Sequence, residues 1–514
     1  MKPICISVKS RKIIRIMTAF LLLQTCLSAL ICSGKQGFHM DEYFTFCLSN
    51  NETGAVNPTE IGKIYDSDYF TDYLAVEPGQ QFSYRQVWVN QKNDVHPPLY
   101  YVFIHTLSSL FPGKFLPWLG LGFNIFLSLL ITLCLYLLCR ALRNSESLSL
   151  TISFGTVLLA GMLECVLFIR MYELAMLFVL LHSLLHVKNY ETAQKYFYPL
   201  LFFCSVAGAL THYYVILFMF FTGIYYGLHL LSHRKIRPLF LYCATMAGAG
   251  IFTYILFPGI LVHLFSTNRG MESISNVQNP GDFPERLKIF GGFVNNGLFA
   301  GCFWGLVLFA LFCLWMHWKN KTKIRWSPEL PMLAFSAACF FLFVAKSASY
   351  KEERYVFMVY PVIFLVVLQA VLILWPFGEK RTFTALLLVL LTVSGTHADY
   401  DFPLKYESET LQQSEISPYL DDLCIVVSDL GSYYRIVPSF GQLSSFRHVV
   451  FLQVDSLDRL KDYGLTEMED TVIYVQNDFS RPKDVCRTIL NENEGLHEFE
   501  KLFTSEYMDV YHAW

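Results

Sequence analysis

The chain has 514 residues, 54% of them hydrophobic, 16% aromatic and 16% charged, with a mean hydropathy of +0.40. That is far more apolar surface than one water-soluble core needs, so a polytopic membrane protein is expected. A net charge of −3 without any dense basic block leaves no footprint for a nucleic-acid partner.

A crossing helix needs about 20 mostly apolar residues to span about 30 Å of hydrocarbon. Eleven such runs are predicted, near 16–33, 115–139, 149–169, 171–187, 197–212, 213–231, 238–257, 297–316, 331–347, 355–375 and 382–397. Residues 1–33 also read as a signal peptide, with a basic head and an apolar middle, but no small-x-small cleavage site precedes Gly34 and a retained anchor fits the later topology. Basic residues fall in alternate connections: Lys9, Arg11, Lys12 and Arg15; Arg140 and Arg143; Lys188 and Lys195; Arg234, Lys235 and Arg237; Lys319, Lys321, Lys323 and Arg325; Lys380 and Arg381. Because Lys and Arg near span ends stay cytoplasmic, the N-terminus is expected inside and the C-terminus outside.

Three exterior segments are long: a first loop over 34–98, a loop over 258–296 and a tail over 398–514. In the tail, LCIVVSD (423–429), HVVFLQV (448–454) and TVIYVQN (471–477) read as strands, with helical stretches such as SLDRLKDYG between them. The expected architecture is an all-α polytopic membrane domain over 1–397, with about eleven transmembrane helices, followed by a small exterior α/β domain over 398–514. The fourteen cysteines lack CxxC pairs, and most lie in apolar runs, where they pack as small hydrophobes. Cys424 and Cys486 share the exterior tail, where a bridge forms if their geometry fits.

Two polar stretches interrupt the apolar pattern. FHMDEYFTF (38–46) puts Asp41 and Glu42 just past the first span, where two acids also read simply as a solvated exit. NDVHPPLYY (93–101) closes the first loop; Pro97 and Pro98 force an extended entry and hold Asp94 and His96 at a set height, while Tyr100 and Tyr101 suit the headgroup region. The following VFIHTLSSLF suits an interfacial helix better than a crossing one. Acids, a histidine and aromatic rings at a membrane surface meet the needs of glycosyl transfer: a carboxylate takes the proton of an acceptor hydroxyl, and cations neutralise a departing phosphate.

A span, an exterior DE, a loop ending in D-x-HPPLYY, then RMYELAML, THYY and ERYVFMVYP together resemble the polyprenyl-phosphate-sugar glycosyltransferases of the GT-C fold. The nearest likeness is to the glycosyltransferase family 39-like proteins, which include protein O-mannosyltransferases and the lipid A aminoarabinose transferase, and it covers roughly residues 10–400. The resemblance implies a hexosyl- or pentosyltransferase that moves a sugar, with inversion, from a polyprenyl-phosphate-linked donor to a glycan, lipid or protein acceptor. Asp41 matches the catalytic acid, and Glu42 beside it would position the acceptor or a metal. Asp94, His96 and Tyr100 would line the cavity. Arg170 and Tyr172, with Glu173 orienting the arginine, and Lys351, Arg354 and Tyr355, ahead of Pro361, would bind the donor phosphate. Some members hold a divalent metal ion; His263 is the positional match, with Glu77 or Glu60 as the carboxylate.

Each of these residues has a plainer reading. Arg170 and Arg354 could snorkel to the interface, and His212 and His263 could be satisfied packing residues. Glu164, six residues before Arg170, is either functional or paired in the interior. Two other classes stay open: a lipid-linked sugar flippase, whose polar residues should collect at the midplane, and a non-catalytic relative in envelope assembly. The modest length and the tail composition point to a bacterial plasma-membrane protein with its active site outside.

Overall fold

The computed structural model of the protein describes residues 8–55, 59–279, 281–321, 323–324, 326–396, 400–479 and 481–514. Arg325 and the Lys9 side chain, both in the predicted basic series, lie outside the described residues. The chain forms two compact units: the first joins Met1–Ser33, Asp94–Tyr100 and Leu121–Phe402, the second Gly34–Asn93, Tyr101–Gly120 and Pro403–Trp514. Most of the first loop therefore belongs with the tail, a grouping that the linear division at 398 does not contain.

The first unit is helical. Arg11–Ser33, Pro117–Ala141, Tyr213–Ser232, Ile236–Leu256 and Leu330–Ser347 are long and apolar enough to cross a membrane, and the count rises to seven if two bent pairs each make one span. Five to seven spans among the described residues meet that length and composition, so the count of eleven is not confirmed. The predicted run 149–169 is the pair Glu146–Thr156 and Ala160–Leu167, bent by 56°. The run 297–316 falls across Phe283–Phe299 and Phe303–Lys319, bent by 75°, because Ala300 (φ 47°) and Gly301 (φ 77°) adopt the left-handed conformation that ends a helix. The run 355–375 breaks into Arg354–Phe357 and Tyr360–Leu374, since Pro361 has no N–H to give to the carbonyl of Phe357. Tyr172–Lys188 and Lys380–Ser394 are helices of 17 and 15 residues, at and below the short end of the length a crossing needs. Large apolar side chains such as Leu22, Phe203, Phe240, Trp304 and Leu308 are more than 60% exposed, as suits contact with lipid tails. The chain is an integral membrane protein.

Within this unit Phe197–Ala209 packs on Ile236–Leu256 and on Tyr172–Lys188, and Tyr213–Ser232 packs on Leu330–Ser347. Ala160–Leu167 and Phe283–Phe299 meet backbone to backbone: a Cβ on Gly161 would lie 3.0 Å from the Gly297 Cα, so both positions require glycine.

The second unit is an α/β fold on a six-stranded sheet: β1 (Ile64–Asp66), β2 (Leu423–Val427), β3 (His448–Leu452), β4 (Thr471–Gln476), β5 (Phe499–Thr504) and β6 (Met508–Ala513), in the order β1-β3-β2-β4-β6-β5. β3, β2 and β4 are parallel, as their continuous apolar runs suggest, and the other three strands join antiparallel. One face presents Ile425, Val427, Val450, Leu452, Ile473 and Val475 to Leu457, Leu460, Val485 and Ile489. The other presents Phe451 to Tyr65, Tyr69 and Phe70 of the first loop. Cys424 and Cys486 are both free thiols and buried, so the expected bridge is corrected. The reason is the strand alternation: Ile425 and Val427 face the layer that holds Cys486, which turns Cys424 to the opposite face.

Candidate active site

In the first unit the double proline brings 94–100 onto two interhelical turns. The Leu99 N–H donates to Leu210 O at 2.9 Å, next to His212. The Tyr100 hydroxyl donates to Asn124 Oδ1 at 3.0 Å, and Asn124 Nδ2 donates to Val166 O and Phe168 O at 3.1 and 2.6 Å. One buried asparagine thus ties the Asp94 turn to the end of Ala160–Leu167, from which Arg170 projects. Tyr100 is fully buried, and its phenol has a partner in the interior and serves as a tie.

Asp94 and His96 form an ion-pair contact, Oδ2 to Nδ1 2.8 Å, with side chains 23% and 14% exposed. Burial pushes the Asp94 carboxyl up, but the His96 imidazole and the Arg170 guanidinium outweigh it and hold it at about 2. His96 is lowered from its ordinary value by burial and then by the charge of Arg170, against the pull of Asp94, so near neutral pH it donates from Nδ1 and keeps Nε2 as an acceptor. Arg269 adds a second positive field at His96. Arg170 itself is 2% exposed, on a turn closed by its own N–H to Phe168 O at 2.6 Å.

An aromatic seam connects this centre with the second predicted cationic cluster. Tyr172 stacks on Phe168 (5.7 Å between centroids), meets His212 at 5.4 Å and Phe357 at 6.2 Å. Tyr355 meets Tyr214 at 5.7 Å, and the Arg354 guanidinium lies 5.7 Å from the Tyr355 ring. Asp94, His96, Arg170, Tyr172, Arg354 and Tyr355 therefore belong to one set of turns at the helix ends. Lys351 instead pairs with Glu285 at 2.7 Å on an exposed surface. Glu173 makes no hydrogen bond to Arg170: its buried carboxyl faces the Cys165 thiol. As the second residue of Tyr172–Lys188 it is set into the bundle interior, not against the turn.

In the second unit, Asp41 and Glu42 lie in the first turn of Met40–Asn50, where the helix dipole favours negative charge. Their environments differ. Glu42 accepts from the His39 N–H at 2.8 Å, completing a capping box with His39, and from Lys35 Nζ at 3.0 Å, with both side chains of the ion pair only 1% exposed. Asp41 is 6% exposed, with Oδ2 3.8 Å from His39 Nδ1, while its N–H donates to that same nitrogen at 3.0 Å. Glu42 thus takes part in the helix start and in a buried ion pair, while the Asp41 carboxylate lies farther from His39.

The metal expectation does not fit. No group of three or more His, Cys, Asp or Glu side chains among the described residues is placed to hold a metal ion. His263 Nδ1 is 2.6 Å from the Tyr213 hydroxyl, Glu60 pairs with Lys63 at 2.6 Å, and Glu77 is exposed on a turn of the second unit. His212 caps Tyr213–Ser232, accepting from the Tyr214 N–H at 3.0 Å.

Three residues escaped sequence reasoning. Asn124 was legible as an amide inside an apolar run. Glu353, inside KEERY, accepts from the Tyr360 and Tyr400 hydroxyls at 2.7 and 2.8 Å; burial raises its carboxyl to about 7 against both hydrogen bonds. Arg286 is 3% exposed and donates to Ala345 O at 2.8 Å and to Ala348 O, satisfying the carbonyls at the end of Leu330–Ser347.

No protein family and no curated protein matches the chain. Among solved structures it is similar to ArnT from Cupriavidus metallidurans bound to undecaprenyl phosphate, with 12% identity and a TM-score of 0.49. The apo state of the same protein gives 13% identity and a TM-score of 0.49. Both alignments cover 96% of this chain and 98% of the other.

Proposed function

We propose that the chain is a membrane glycosyltransferase that moves a sugar from a polyprenyl-phosphate-linked donor to an acceptor at the exterior face of a bacterial plasma membrane. The observation that carries this reading is the buried Arg170 acting on the Asp94/His96 pair at the ends of apolar helices. A guanidinium out of bulk water binds phosphate oxygens strongly, and a lipid-linked phosphate is presented at this depth. Arg354 on the neighbouring turn supplies a second cation for the phosphate as it leaves. The Asp94 carboxylate and His96 Nε2 would accept hydrogen bonds from hydroxyls of the donor sugar. In the second unit, turnover requires the Asp41 carboxylate, to which the resemblance assigns the acceptor's proton.

The flippase alternative requires ionisable residues near the bilayer midplane. Of the buried pair His182 and His186, His186 is satisfied by His182 O and the Tyr242 hydroxyl, whereas neither ring nitrogen of His182 has a hydrogen-bond partner among the described residues, so that position is the one the flippase reading would use. The test is transfer of labelled sugar from a panel of polyprenyl-phosphate sugars by purified protein. Turnover that Arg170→Ala abolishes supports the reading; absence of turnover with every donor, together with movement of polyprenyl phosphate across vesicles, would replace it with the flippase.

A further inference from the structure

The second unit contains a cavity of about 240 Å³ that none of the roles above uses. It is lined by Phe38, Tyr406, Glu409, Gln412, Ser439 and Gln442, among others. Its size is below the roughly 300–1,000 Å³ of drug-sized sites, so it suits a single small ring.

The base of the cavity is built. Gln442, 2% exposed, accepts from the Tyr474 hydroxyl at 3.0 Å and directs its amide nitrogen, at 2.8 Å each, to Glu409 Oε2 and Gln412 Oε1. That arrangement leaves Glu409 Oε1 and Gln412 Nε2 without a hydrogen bond among the described residues, as a fixed acceptor beside a fixed donor. Adjacent hydroxyls, each able both to give and to take a hydrogen bond, match such a pair.

The walls add two rings. The Lys35 ammonium lies 5.1 Å from the Phe38 centroid and 5.3 Å from that of Tyr406, which anchors both. Gly37 lets the chain pass tightly here, since a Cβ would come within 2.5 Å of Glu409 Cγ and 2.9 Å of Tyr406 Cβ. Lys35 is buried against Glu42, and the charged residues lining the cavity are Glu409 and Glu506. An anionic ligand is therefore disfavoured, which sets aside phosphates and nucleotides. Aromatic rings in the wall to pack against the C–H side of a ring, a donor and acceptor for vicinal hydroxyls, and negative lining charge describe one ligand class.

We infer that this cavity binds a single sugar ring that is neutral or carries an amine. The inference deepens the transferase reading and rests on it in one respect: there the bound ring would belong to the acceptor. Phe38 stands three residues ahead of Asp41, at the start of the same helix.

The test uses full-length protein in detergent, without donor, titrated with methyl α-glucoside and with glucosamine and followed by ligand-observed saturation-transfer NMR. Expected is saturable binding of at least one probe with a Kd of about 1 mM. Binding should weaken about tenfold or more in Gln412→Ala, which removes the donor, and in Ser408→Trp, which fills the mouth, a loss of about 1.4 kcal/mol. Glucose 6-phosphate should bind more weakly than either probe. No saturation by either probe up to about 100 mM, or unchanged Kd in both variants, overturns the site. Sugar binding without turnover of any donor leaves the site standing and removes the transferase reading. Turnover with no sugar binding does the reverse.

Discussion

The turn at 94–96 and the turn at 39–42 are built from similar residues, yet they do different work. Each sets carboxylates beside a histidine in a largely buried setting. At 39–42 the histidine caps the helix and Glu42 closes the capping box and binds Lys35, so most of the polar groups have a fold to hold together. At 94–96 the histidine's hydrogen bond among the described residues is to the carboxylate, and the nearby charges are Arg170 and Arg269 from distant turns. Under the proposed function, what would separate a structural acid from a chemical one is not its type or its neighbours in sequence. It is whether the backbone around it already satisfies it.

The sharpest break of this comparison is at Asp41. If its carboxylate is the base, Asp41→Asn should lower transfer by about 10²–10⁴-fold with unchanged thermal unfolding. A variant that unfolds earlier but turns over normally would make Asp41 a capping residue like its neighbour. Glu42→Gln should do the opposite, leaving Lys35 buried without its counter-charge at a cost of about 3–5 kcal/mol, read as a lowered midpoint of thermal unfolding. Combining it with Lys35→Met should recover much of that loss, because the neutral pair leaves no buried charge uncompensated.

In the first unit, Arg170→Lys keeps the charge but loses the planar fork, so donor KM should rise by about 10–100-fold while the protein stays folded. An unchanged KM would make the arginine an interfacial anchor. The smallest effect is on pH. Asp94 is held at about 2, below its unfolded value, so its stabilisation is present above pH 4 and is lost as pH falls toward 2. His96 is lowered too, so the unfolded chain binds the proton more readily and stability already begins to fall as pH drops below about 6.5. Wild type should show both steps in its unfolding midpoint; His96→Gln should lose the upper step and shrink the lower one, because His96 is among the groups that hold the Asp94 carboxyl down.

Much of the molecule was legible in one dimension. Apolar runs of sufficient length marked the crossing helices, and β2, β3 and β4 lie where continuous Val, Ile and Leu runs placed them, because burial on both faces leaves no other composition available. Local sequence also located the turns that carry Asp94, His96, Arg170 and Arg354, since prolines and charges interrupt an apolar pattern. Tertiary structure decided the rest. The three-residue β1 has no periodicity to read and exists only because β3 offers it an edge. The unit that holds it was hidden because its parts lie far apart in sequence, Gly120 to Pro403, and are joined by tertiary contacts, such as Tyr69 and Phe70 on Phe451. Which acid of the DE pair is ion-paired depended on Lys35 closing on Glu42, and the sugar-sized cavity on Gln442 reaching Glu409 and Gln412. Composition and periodicity determine which residues leave water; only three-dimensional packing decides which of their polar groups find partners.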